Sequence, residues 1–186
     1  MRRKSLLRTT VAVLCAIGVA APALAQTTPC VLPNERRAFE VRALQTQLQV
    51  AALQCRDEPG YARLEEEYRQ FVRKFQSQFA TEARDLIGYY RRTAGSSSTR
   101  VLDASITNLA LEQSQEATRH GTFYCPLVAP MFRLANEQST LDGLAQLAVE
   151  RNVLNPTMAA ICPERAAATP AARRSGPAAR PAQPRR

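Results

Sequence analysis

Between residues 33 and 150 the apolar positions recur at spacings of three and four, the period of one helix face, and no alternating run bounded by turn residues marks a strand. The pattern divides into about five helices. The first follows Pro33, takes Asn34 as its cap, and carries Val41, Leu44, Leu48, Ala51 and Ala52 inward on its way to Cys55. Asp57, Glu58, Pro59 and Gly60 then turn the chain. The second repeats Tyr61, Leu64, Tyr68, Phe71, Phe75 and Phe79, one aromatic stripe on a helix otherwise crowded with Arg and Glu. It continues to about Arg92, with Thr81 as the one point where a fresh cap would break it.

Ala94, Gly95 and the serines 96–98 form the clearest loop, after which Ser98 or Thr99 caps a third helix that turns Leu102, Ile106, Leu109, Gln113 and Ala117 inward. Gly121 ends it as a left-handed cap. Pro126 and Pro130 suit the first turn of a short fourth helix through Leu134. Ser139, with Asp142 three residues on, opens a fifth carrying Leu141, Leu144, Leu147 and Ala148, and a short turn after Pro156 leads to Cys162. The expected fold is therefore all-α, a single helical bundle of about five helices.

The two ends of the chain follow different rules. Arg2, Arg3, Lys4 and Arg8 precede an almost wholly apolar run over residues 10–21, and Ala23 and Ala25 make the A-x-A pattern of a signal peptidase site. Residues 1–25 thus read as a leader cleaved before Gln26, since roughly a dozen apolar residues are too few to cross a hydrocarbon core of about 30 Å. After Ile161 no large apolar residue occurs, so residues 164–186, rich in Ala, Pro and Arg, are expected to be a disordered tail. The body, residues 26–163, suits one domain with one core.

Charge follows the same division. The formal net charge is +9, but the leader holds four of the 25 basic residues and residues 165–186 six, leaving 15 against all 16 acidic residues between Gln26 and Glu164. A near-neutral body offers no basic face to track phosphates, and export argues against nucleic acid as a partner. The mature chain contains no transmembrane segment on this reading. Its location is the periplasm or the medium.

Four cysteines, Cys30, Cys55, Cys125 and Cys162, lie beyond the leader, where an even count in an exported chain reads as a disulfide framework. Cys30 and Cys55 flank a helix of some 20 residues, whose ends stand roughly 30 Å apart. A bridge needs α-carbons within about 7 Å, so these two do not pair. Two connectivities remain. An up-down-up course returns the third helix to the end where the first finishes, which favours Cys55 with Cys125 and hence Cys30 with Cys162. Loops this long are stabilised by on the order of 4 kcal/mol per bridge in the chain-entropy model. A four-cysteine metal site is disfavoured, because no C-x-x-C pair occurs and the single histidine is His120.

Catalytic signals are sparse. There is no G-x-S-x-G, phosphate-binding glycine loop or H-E-x-x-H, and His120 suits a cationic group in the last turn of a helix. Glu82 with Asp85 is a carboxylate pair of a kind common on solvated helix faces. No cofactor or metal is expected. Two binding features compete with structural readings. The stripe of Tyr61, Tyr68, Phe71, Phe75 and Phe79 serves as core or as a groove for an apolar ligand or unfolded polypeptide. The tail arginines Arg173, Arg174, Arg180, Arg185 and Arg186 serve as a solubilising extension or as a tether to an anionic surface, each basic residue worth about 1 kcal/mol near such a surface.

Residues 39–55, with Arg42, Ala43, Leu44, Gln45, Leu48, Val50, Ala51, Ala52, Leu53 and Cys55, followed by Tyr61, Phe71 and Phe75, resemble uncharacterised small secreted helical proteins of alphaproteobacteria. That resemblance covers about a third of the chain and implies no activity. A looser likeness of architecture is to helical periplasmic chaperones, whose L-T-x-x-Q signature is not reproduced by Leu44, Gln45, Thr46 and Gln47. The expected function is non-enzymatic: binding or scaffolding in the cell envelope, with an envelope protein or an anionic surface as partner. The alternatives are a chaperone-like client binder and a cell-wall hydrolase using carboxylates.

Overall fold

The computed structural model describes residues 29–155 and 160–163, which fold into α-helices without a named strand. The expected leader, the turn after Pro156 and the arginine-bearing tail lie outside these residues. The helices are α1 (Pro33–Gln54), α2 (Leu64–Ala94), α3 (Ser98–His120), α4 (Tyr124–Glu137) and α5 (Leu141–Glu150).

Helix α1 is the axis of the bundle, touching each of the other four helices. Its buried residues lie on all sides, Ala38, Phe39, Val41, Ala43, Leu44, Leu48 and Ala51 among them, as befits a helix surrounded by partners. Pro33 occupies its first turn, and the Glu35 carboxylate accepts the Leu32 N–H at 2.7 Å. The expected cap Asn34 is instead inside the helix, because proline's fixed φ starts the helix two residues earlier, with Leu32 at the cap. The Asn34 amide donates to Asp85 Oδ1 on α2 at 2.8 Å.

Helix α2 starts at Leu64 rather than Tyr61, since residues 56–63 are taken up in turns, and it passes Thr81 without a break. Its aromatic stripe fills the interior. Phe71 and Phe75 are 0 % exposed, and the Phe71, Phe75 and Phe79 rings meet with centroids 5.3 to 5.9 Å apart. Phe71, Phe75 and Phe79 are therefore core, packed against one another, while Tyr61 lines a hollow between α2 and α4. Tyr61 and Tyr68 stand half-buried at the edge of that core.

One-turn 3₁₀ segments, Gly95–Ser97 and Gly121–Phe123, join α2 to α3 and α3 to α4. The serine-rich stretch is therefore a joint and no extended loop. Gly121 has φ 53° and ψ −130°, a positive-φ backbone outside the left-handed helical region and so not the expected left-handed helical cap. A side chain is strained in that conformation, which is why glycine stands there. Pro130 lies inside α4 rather than in its first turn, and the helix runs three residues past Leu134. Thr140, not Ser139, caps α5, its Oγ1 accepting the Gly143 N–H at 3.1 Å.

Two disulfides close the fold. Cys55 and Cys125 are bridged with α-carbons 5.7 Å apart, and Cys30 and Cys162 with α-carbons 4.7 Å apart. Helix α1 has 22 residues and hence spans about 33 Å, so its two flanking sulfurs are tied to opposite ends of the bundle. Beside the second bridge, Val31 pairs in parallel with Ile161, its N–H donating to Ala160 O at 2.9 Å and its carbonyl accepting from Cys162 at 2.8 Å. This isolated β-bridge brings the two ends of the described chain together.

Candidate functional site

The cleft that carries the strongest functional signal starts from one polar residue on an apolar row. Leu109, Gln113 and Ala117 are the buried residues of α3, four apart and so on one face. Gln113 is 2 % exposed, and its Nε2 donates to Ala43 O on α1 at 3.0 Å and to Leu154 O beyond α5 at 3.2 Å. Those two bonds fix the orientation of the amide. They leave Oε1 buried and without a partner among the described residues.

Around Gln113 the fold gathers a wall and a floor. The Gly121 turn delivers Tyr124 to the first position of α4, where it is 5 % exposed. Leu127, Val128, Met131 and Leu134 follow along the same side of α4. On the far side Asn152 adopts φ 51°, and the Asn152 and Val153 N–H groups bond Val149 O and Ala148 O at 3.1 and 2.9 Å. This is a Schellman ending, and it turns the chain so that Leu154 lines the cleft. Gln47 of α1 completes the lining, and the cavity measures about 560 Å³.

Three lining residues carry polar atoms with no answer among the described residues. Five buried side-chain polar atoms lack a hydrogen-bond partner among the described residues, and Gln47 Oε1, Gln113 Oε1 and the Tyr124 hydroxyl, all in this cleft, are three of them. A buried, unpaired polar group costs about 1–3 kcal/mol, and all three of these atoms are closed off from solvent. Burial first, and the Glu116 carboxylate second, push the Tyr124 phenol up to about 12, which keeps it a neutral donor and acceptor. At the rim His120 Nε2 lies 2.9 Å from Glu116 Oε1, and Arg119 also pairs with Glu116, whose carboxyl is held below its ordinary value chiefly by the Arg119 hydrogen bond. His120 is thus the last-turn group of α3 and also a rim residue.

A hollow of about 780 Å³ lies between the start of α2 and α4, but its charged groups are matched, Arg63 with Glu67 at 3.2 Å and Arg133 with Glu137 at 2.8 Å. Glu82 and Asp85 do not face a common space. Glu82 is 0 % exposed and is held by Arg42 through two bonds, Nε to Oε1 at 2.9 Å and Nη2 to Oε2 at 2.6 Å. It is therefore an interior carboxylate rather than one on a solvated face. Burial raises it to about 7 against the opposing pull of Arg42. Asp85 is taken up by Asn34 and by Arg37 at 3.5 Å.

The tail arginines Arg173, Arg174, Arg180, Arg185 and Arg186 fall outside the described residues. Among the described residues no three His, Cys, Asp or Glu side chains cluster as a metal site would, and no helix is long and apolar enough to cross a membrane. The residues that sequence reasoning missed are Gln47, Tyr124 and Leu127. The available signal was Gln113, a polar residue on an otherwise apolar inward row. No family model, curated protein or solved structure matches the chain.

Proposed function

We propose that this chain is an exported, non-catalytic binding protein of the cell envelope whose site is the cleft between α3, α4 and the segment after α5. The observation that carries the reading is one cavity of about 560 Å³, walled by Leu127, Val128, Met131 and Leu134, whose lining also includes Gln47, Gln113 and Tyr124, each with a buried polar atom unpartnered among the described residues. The leader-like opening of the sequence and two disulfides support an oxidising compartment. The interior position of Glu82 argues against a hydrolase built on Glu82 and Asp85, because a carboxylate with no exposure reaches no polymer. The test is photo-crosslinking in intact cells from a reactive residue placed at Leu127, a cleft residue 60 % exposed, with Arg84 on the exposed side of α2 as control. Adducts specific to position 127 support the reading; equal labelling from both positions, or clearing of cell wall by the purified protein, contradicts it.

A further inference from the structure

The two disulfides stand in different surroundings. Cys55 and Cys125, the inner bridge, are 0 % and 7 % exposed and belong to the main apolar cluster together with Phe71, Phe75 and Phe132. Cys30 and Cys162, the outer bridge, are partly exposed, with exposed Pro29, Ile161 and Pro163 as their chain neighbours. The outer bridge lies beside a second, smaller cluster of Val31, Ala38, Phe39, Leu86, Tyr89 and Tyr90, in which the Phe39 ring meets those of Tyr89 and Tyr90 at 5.0 and 6.0 Å. Val31, 2 % exposed, is the one member of that cluster outside a helix. It is held by its two backbone bonds to Ala160 and Cys162, and Arg92 Nη2 donates to Cys30 O at 3.0 Å. A chain end held by so few bonds opens more readily than helices packed around the main cluster.

Thiol–disulfide exchange requires a thiolate to reach a sulfur, so access decides which bridge reacts first. One thiolate of a dithiol reductant attacks a sulfur of the outer bridge, forming a mixed disulfide and releasing the other sulfur as a thiolate. The reductant's second thiol then closes on its first, forming the reductant's own disulfide and freeing the remaining cysteine. Two electrons and two protons pass from the reductant to the protein. We propose that the bridge between Cys30 and Cys162 is a redox-labile clasp, opened by a dithiol while Cys55 and Cys125 stay joined. Its opening releases Val31 and uncovers the face formed by Phe39, Tyr89 and Tyr90 on a bundle that remains folded.

The test treats oxidised full-length protein, its Cys15 alkylated beforehand, with dithiothreitol in native buffer, traps new thiols with N-ethylmaleimide and locates them by peptide mapping. Cys30 and Cys162 are expected to be labelled at least tenfold faster than Cys55 and Cys125. In the half-reduced protein the Val31 and Cys162 amides, whose bonds pair the two chain ends, are expected to exchange hydrogen at least tenfold faster, while those of Phe75 and Phe132 keep their protection. The double variant Cys30→Ser with Cys162→Ser should show the same exchange pattern without reductant. Equal labelling of the two bridges, earlier labelling of Cys55 and Cys125, or no labelling of either in native buffer overturns the clasp. Unchanged exchange at Val31, or exchange that quickens equally at Phe75 and Phe132, overturns the release of one end from an intact bundle.

Discussion

The aromatic stack and the cleft belong to the same bundle and differ in how buried groups are treated. Around Phe71, Phe75 and Phe79 apolar surface meets apolar surface, and the interior carboxylates of the bundle are answered: Glu82 by Arg42, and Glu35 by Arg92 and the Leu32 N–H. In the cleft, Gln47, Gln113 and Tyr124 carry polar atoms that nothing in the described protein answers. The division is not complete, since Arg37 Nε and Gln45 Oε1, outside the cleft, are also unpartnered among the described residues.

The comparison is broken most readily at its dry side. Phe75→Ala removes a fully buried ring and is expected to cost about 3–5 kcal/mol in urea unfolding. A cost below about 1 kcal/mol would mean that the stripe is not core. Arg42→Met tests the answered carboxylate, since it strands Glu82 and is expected to cost about 3–5 kcal/mol at pH 8. Glu82 holds its proton to about 7 in the folded state against an ordinary 4.5, so its favourable share is present at low pH and is lost as pH rises through about 7. The Arg42→Met penalty should accordingly shrink at pH 5. Equal penalties at pH 5 and pH 8 would show that Glu82 is not the group stranded.

Much of the fold is legible in the residues because each helix must bury a face at a fixed period. The row of Phe71, Phe75 and Phe79 announces α2 in this way, and the length of α1 excludes a bridge between Cys30 and Cys55. The helix starts are displaced by two residues and by one, Asn34 and Ser139 being passed over for Leu32 and Thr140, since Pro33 starts α1 ahead of Asn34 and the backbone selects one of two neighbouring hydroxyl residues at α5. The central place of α1 was not legible. Its apolar residues lie on all sides, and periodicity reports only one-sided helices.

The cleft was hidden for a different reason. Gln47, Gln113, Tyr124 and Leu154 come from four segments that only the tertiary packing brings together, and none belongs to a motif. The stripe misled in the opposite sense, since the same spacing serves a core and a groove, and only the packing of α1 against it decides between them.

The smallest expected change bears most directly on the central claim, that the Tyr124 hydroxyl beside the cleft has no partner among the described residues. In Tyr124→Phe the protein loses that hydroxyl, so its urea midpoint should stay the same or rise. A stability loss of about 0.5–1.5 kcal/mol, the worth of an ordinary hydrogen bond, would show that the hydroxyl was already answered within the fold and would contradict the account.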